Sequence, residues 1–185
     1  MRRWLGLWVA VVLAGCDSTP SYFPIEVNSV ATFRVRGFRT QITMLRLQRI
    51  LSVAGARGVE VAGPNGVSRV AWSNGELRAQ QLVNARFEPD IPLLSPANLK
   101  DTENWKGTVA FLESKAPATA TLTQTASTED YQGRHLQVIN AVLTVNLAGP
   151  SPKVIELDST YAKGLGLVHQ EQRTDGHFDL ELMRL

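Results

Sequence analysis

From residue 21 onward apolar and polar positions mostly alternate one by one, the period of a half-buried β-strand, and helical periodicity is scarce. Over 32–39, Phe33 and Val35 share one face and Arg34 and Arg36 the other. Over 41–53 the apolar positions move from Ile42 and Met44 to Leu45, Leu47, Leu51 and Val53. A strand that changes its buried face needs a bulge, which this pattern places near Met44 or Leu45. Leu47, Ile50 and Leu51 also fit a 3.6-residue period, so 43–53 stays open to a helix. Glycine-bearing turns at 55–58 and 63–66 flank a short strand at 59–62, and 67–72 follows as another. Asn74-Gly75 favours a two-residue type I′ hairpin, with 77–87 as the returning strand. The prolines of 89–96 cannot donate to a ladder, which predicts a crossing loop.

The second half repeats the style. A strand is expected over 107–113, with Val109 and Phe111 on one face. Thr119, Thr121, Thr123 and Thr125 then form a row, explained by the preference of β-branched residues for strands. After a turn at 128–133 comes the long strand 135–147, apolar on both faces. Ile139, Leu143, Val145 and Leu147 lie on one side and Leu136, Val138 and Val142 on the other. A strand apolar on both faces is covered on both sides, or else lines a hydrophobic cavity, which makes Leu136, Val138 and Val142 candidate lining residues. Gly149 to Pro152 breaks the run, and strands at 153–161, 165–172 and 178–182 complete the sheet, the last two joined by Asp175-Gly176. The expectation is an all-β, mainly antiparallel fold, a curved sheet or half-barrel.

An internal echo supports two related halves, 22–92 and 93–185. Pro24 precedes Phe33, and Pro96 precedes Trp105, by the same interval. Trp72 stands before the Asn74-Gly75 turn as Tyr161 stands before Gly164. A repeat of this length implies two similar β units packed together or run into one curved sheet.

The first 15 residues stand apart. Arg2 and Arg3 precede an apolar run from Trp4 to Leu13, the layout of a secretory signal. The run is shorter than the about 20 apolar residues that span a bilayer. It ends in Leu13-Ala14-Gly15-Cys16, which resembles the lipobox of bacterial lipoproteins. The resemblance implies cleavage between Gly15 and Cys16 and acylation of the new N-terminal thiol. Residues 16–21 are then an acylated tether, and 22–185 a single β domain. Cys16 is the chain's one cysteine, so no disulfide staples the domain. Loss of Arg2 and Arg3 cancels the formal net charge of +2. A neutral mature chain argues against general nucleic-acid binding and against a polybasic membrane surface. Membrane contact is expected through the acyl chains on Cys16. Residues 17–21 reach no more than ~18 Å, which keeps the domain near the bilayer. Arg34, Arg36, Arg46 and Arg49 form a further stripe, read either as lipid-facing or as a solvated sheet face.

Tyr22-Phe23-Pro24-Ile25, Leu93-Leu94-Ser95-Pro96 through Trp105-Lys106-Gly107, and Tyr161-Ala162-Lys163-Gly164-Leu165-Gly166-Leu167-Val168 resemble the phrases of a family of uncharacterised bacterial lipoproteins. Asn28, Ala31 and Phe33 depart from its first-half phrase, which usually has glycine, tryptophan and tyrosine there. The resemblance implies an antiparallel β fold and envelope anchoring, with no known catalysis. More remotely, a curved sheet on an acyl anchor is similar to the lipoprotein-carrier (Lol) half-barrels, which cup acyl chains. Asp17 resembles the inner-membrane retention signal of enterobacterial lipoproteins, which has meaning where that sorting system exists.

Catalytic signals are sparse. His135, His169 and His177 lie far apart, without a partner at metal spacing. His169 and Glu171 share a strand face, and such a pair serves acid–base work or stands as a surface pair. Glu129-Asp130 and the Glu88, Asp90 pair lack the oxygen count of a calcium loop. No nucleophile elbow or phosphate loop is present. The reading is a lipid-anchored protein of the cell envelope, at the outer face of the cytoplasmic membrane or at the outer membrane. It is expected to be neither an enzyme nor a cofactor or metal binder. Its work is non-catalytic binding, either docking an envelope protein or carrying or sensing an apolar ligand.

Overall fold

The computed structural model describes residues 22–53, 55–63, 66–111 and 114–185; the leader, Gly15 and Cys16 lie outside the described residues. Its elements are β1 (Val30–Arg36), β2 (Gln41–Val53), β3 (Ala56–Gly63), β4 (Gly66–Ser73), β5 (Glu76–Leu82), β6 (Ala85–Leu94), β7 (Glu103–Phe111), β8 (Ser114–Tyr131), β9 (Arg134–Leu147), β10 (Lys153–Ala162), β11 (Gly166–Thr174) and β12 (His177–Arg184). Each strand pairs antiparallel with the next, and β1 pairs with β12, with Phe33 opposite Arg184 and Val35 opposite Leu182. The all-β antiparallel expectation holds, and the curved sheet runs on to closure. A half-barrel would leave β1 and β12 as free edges, whereas closure satisfies both.

Several boundaries differ from the sequence reading. The stretch 43–53 is strand, without a helical turn. Its inward residues are Thr43, Leu45, Leu47, Leu51 and Val53, so Ile42 and Met44 face outward and no change of face occurs where the bulge was expected. The register shift falls later, between Leu47 and Arg49. The expected single strand 77–87 is a hairpin that turns at Val83 and Asn84. The loop expected over 89–96 is strand as far as Leu94. Beyond Glu88, β6 no longer pairs with β7, so the donors that Pro89 and Pro92 lack are not needed on that side.

Simple alternation of direction gives the barrel two ends. The near end holds the entry to β1 and the turns that follow β4, β8 and β10; the far end holds the turns that follow β1, β3, β5 and β11. Residues 22–29 lie across the near end. Trp72 Nε1 donates to the Phe23 carbonyl at 3.0 Å, and the Asn28 amide donates to the Leu47 carbonyl at 2.9 Å. Pro24 lies so close to Gly166 that a Cβ there would sit 3.3 Å from its Cδ, on a backbone with φ of +87°. The echoed phrases occupy strands six apart: Phe33 is in β1 and Trp105 in β7, Trp72 in β4 and Tyr161 in β10.

The main core packs inside the barrel from β2 round to β10. Leu77, Ile91, Leu94, Leu122 and Ile139 are fully buried there, and Phe87 meets Trp105 edge to face at 6.1 Å. The Gln124 amide clamps the backbone of Ser95, accepting from its N–H at 2.6 Å and donating to its carbonyl at 3.3 Å. That bond fixes the exit of β6 against β8.

Candidate functional site

Beside the packed core, the barrel holds a partly open cavity of about 220 Å³ between β1–β6 and β10–β12. Its wall comes from the inward positions of strands that each have one wet face, among them Leu45, Val61, Leu157, Leu167 and Leu182. Phe23 of the near-end segment stands over it, and Gly63, Gly66 and Val83 stand at the far end. Among the described residues no charged side chain lines it. Several of the polar groups at its wall are engaged by other partners. Ser68 Oγ accepts from the Val83 amide at 3.1 Å, Gln170 Nε2 donates to Ser159 at 3.0 Å and Gln172 Nε2 to Asp179 at 3.2 Å. Burial pushes the Tyr161 phenol up to about 12, so it is neutral at physiological pH. The space therefore offers dispersion contacts and almost no charge.

The far-end rim holds a strained residue. Val83 has φ of +50°, a left-handed conformation that costs a β-branched side chain about 1–2 kcal/mol. It is clamped there by Ser68 on its amide and by Gln81 Nε2 on its carbonyl, at 2.8 Å. The substitution Val83→Asn is expected to raise stability by about 1 kcal/mol, since asparagine tolerates this conformation. Thermal melting should show a midpoint higher by about 2–4 °C; an unchanged midpoint would mean that the turn stores no strain.

The lining residues expected from sequence sit elsewhere. Leu136 and Val138 form a satellite cluster with Ala162 and Val168 on the outer side of the sheet, under Tyr131 and Leu165. Tyr131 donates its hydroxyl to the Arg184 carbonyl at 2.8 Å, holding the β8–β9 tip over that cluster. Val142 lines a shallow polar cleft with Asp158 and His169. The outer face of the long strand is thus covered around Leu136 and Val138 and open at Val142, and none of these three residues lines the lumen. Thr119, Thr123 and Thr125 are exposed on the outside of β8.

The register brings one group together that spacing did not show. His169, Glu171 and Glu181 offer ligand atoms within 4.8 Å of one another. Glu181 arrives from β12, directly opposite Glu171. His169 Nε2 lies 3.1 Å from Glu181 Oε1, while Arg36 holds the other oxygen at 2.8 Å and Arg173 holds Glu171 at 2.8 Å. Two carboxylates facing across a ladder repel, and these arginines compensate them. Arg173 also donates to Glu156 at 3.1 Å, so the group is a network of ion pairs on the outer face. His135 pairs with Asp130 on the exposed hairpin, and His177 is exposed at the start of β12.

No known protein-family signature matches the chain, and no curated protein matches it in sequence. Among solved structures it is similar to a candidate lipoprotein from Parabacteroides distasonis ATCC 8503, with a TM-score of 0.56 and 12% identity over 88% of this chain and 96% of that one. A candidate exported protein with a YmcC-like fold from Bacteroides fragilis NCTC 9343 gives 0.49 and 12% identity, over 88% and 96% of the two chains. The hypothetical lipoprotein YmcC from Escherichia coli K12 gives 0.47 and 17%, over 86% and 87%. At 12% identity the likeness to the first is one of fold.

Proposed function

We propose that this chain is an exported lipoprotein, acylated at Cys16, whose barrel is a non-catalytic binding module that takes an apolar ligand into its lumen. The cavity carries this reading. The strands leave about 220 Å³ of mainly apolar space between them. The space exceeds the roughly 150 Å³ apolar cavity that takes up benzene and falls short of the roughly 300 Å³ lower bound of drug-sized pockets. A slender apolar group, such as a stretch of acyl chain, fits that interval. The signal-like leader and the Leu-Ala-Gly-Cys phrase support the anchor, which would place the barrel at the outer face of the cytoplasmic membrane or at the outer membrane. Docking through the outer surface is a second reading, favoured by the exposure of Phe38, Ile42 and Met44.

The test is native mass spectrometry of the mature chain, residues 16–185 with Cys16→Ser, after incubation with membrane lipid extract. The expected result is an added mass that organic solvent strips. Leu182→Trp, which fills the lumen, should abolish the added mass while the melting midpoint stays level or rises. A bare protein mass before and after incubation would overturn the lumen reading.

A further inference from the structure

We propose that the outer face of β1, β2 and β12 is a seat for an anionic phospholipid bilayer, on which the barrel lies beside its own acyl anchor. The register assembles the face. Met44 stands opposite Thr32 and Ile42 opposite Arg34; Arg34 in turn stands opposite Met183, and the Leu185 amide donates to the Thr32 carbonyl at 2.9 Å. These side chains belong to the outward set of their strands. Ile42 is 69% exposed, Met44 62%, and Phe38, in the adjoining β1–β2 turn, 99%.

Basic groups are set among them, and the structure divides them. Arg36 is held by Glu181 and Arg49 by Glu60. Arg34, Arg39 and Arg46 have no ion-pair partner among the described residues, and all are exposed. The carboxylates of β12 are occupied: Asp179 accepts from Gln172 and Thr174, and Glu181 is shared by Arg36 and His169. The face therefore presents uncompensated guanidinium groups among exposed apolar side chains. Guanidinium matches phosphate with paired hydrogen bonds. Apolar side chains beside it enter the boundary between headgroups and acyl chains.

Charge decides against a second copy as the occupant. A two-fold contact sets this face against the same face of the second copy, whose β12 carboxylates are already engaged and leave no free partner for the arginines. The tether agrees with a bilayer. Tyr22 lies beside Gly166 at the near end, next to the strands that carry the face. Val30 and Arg34 span about 13 Å along β1. Residues 17–21 reach no more than ~18 Å, so acyl chains on Cys16 and this face meet the same membrane. This last step rests on the acylation proposed above, but the binding it predicts does not need the acyl chain.

The mature chain with Cys16→Ser, which has no anchor, should cosediment with vesicles of phosphatidylglycerol and phosphatidylethanolamine. It should stay in the supernatant with phosphatidylcholine vesicles, or at high salt. Arg34→Glu with Arg46→Glu should lower the partition coefficient at least about tenfold, since two basic groups are lost from the anionic surface and reversal also adds repulsion. Ile42→Ser with Met44→Ser should lower it too and leave the salt dependence in place. Arg86→Glu with Lys106→Glu makes the same change in net charge on β6 and β7, across the barrel, and should leave binding unchanged. No cosedimentation at low salt, or equal losses in the face and control variants, would overturn the proposal. So would a dimer in light scattering that Ile42→Ser with Met44→Ser dissolves, which would assign the face to a second copy. Acylation is read separately, as lipid mass on residue 16 of protein extracted from membranes.

Discussion

Gly107→Ala should lower the stability of the barrel by about 3 kcal/mol, with a melting midpoint about 6–12 °C lower. Gly107 lies in the middle of β7, where the Trp105 indole folds back across it. A Cβ there would stand 2.4 Å from the Glu88 carbonyl and 2.5 Å from Trp105 Cζ2. Neither neighbour is free to yield. The carbonyl belongs to β6 at the last residue that pairs with β7, and moving it opens the ladder at the point where the strands part. The indole is buried against Phe87 in the main core, so moving it exposes one of the largest apolar surfaces in the molecule. Gly133→Ala is the comparison. Gly133 has φ of +75° but nothing within 4 Å of its missing Cβ, so only the backbone conformation resists, at about 1 kcal/mol. Urea titration of both variants separates the two causes. A Gly107→Ala loss no larger than that of Gly133→Ala would mean that the indole and β6 rearrange freely.

The strands were legible because nearly every one has a single wet face, and alternation such as Phe33, Val35 against Arg34, Arg36 survives any detail of packing. Turn chemistry was legible for the same local reason: Asn74 and Gly75 adopt φ of +53° and +80°, as that pair favours. Features that depend on which strands meet were not legible. Closure requires β1 to find β12 across the whole chain, and nothing in 30–36 names that partner. The cavity was sought beside the strand with two apolar faces, yet on its second face Leu136 and Val138 lie under the strand's own hairpin tip and Val142 lines an open polar cleft. The lumen is walled by ordinary inward residues such as Leu45, Leu157 and Leu182, and they enclose a space only once the sheet has closed. The arginine stripe divided by the same logic. Glu60 faces Arg49 and Arg69 because three strands happen to be in register, whereas Arg34 faces apolar neighbours. Glu181 escaped notice beside His169 because it comes from the next strand.

Arg78→Met should destabilise the chain by about 2–3 kcal/mol at pH 7, and the deficit should shrink as the solution is acidified. Arg78 lies on the outer side of β5 and gathers three acidic residues. It donates to Glu76 at 2.9 Å, to Glu103 at 2.9 Å and to the Asp90 carbonyl at 3.0 Å, with the Asp90 carboxylate 3.8 Å away. Methionine keeps most of the stem and removes the charge, so the loss measures the uncompensated carboxylates. Removing one partner of a fully buried pair costs about 3–5 kcal/mol, and the partial exposure of this group lowers that figure. Burial already holds the Glu103 carboxyl above the ordinary glutamate value, repulsion from Glu76 adds to this, and Arg78 opposes both. Its Oε2 finds no hydrogen-bond partner among the described residues. A carboxyl whose folded value is raised binds its proton more tightly folded than unfolded, so its contribution favours the fold in acid and is lost as pH rises through the folded value. Without Arg78 that value rises further and the loss at neutral pH grows. Acid also weakens the fold by protonating Glu60, which Arg49 and Arg69 hold below the ordinary range, but both proteins share that effect and it cancels in the difference. Urea midpoints of wild type and Arg78→Met at pH 7 and pH 5 should therefore converge toward the acid side. An equal deficit at both pH values would show instead that Arg78 stabilises the barrel through the packing of its stem.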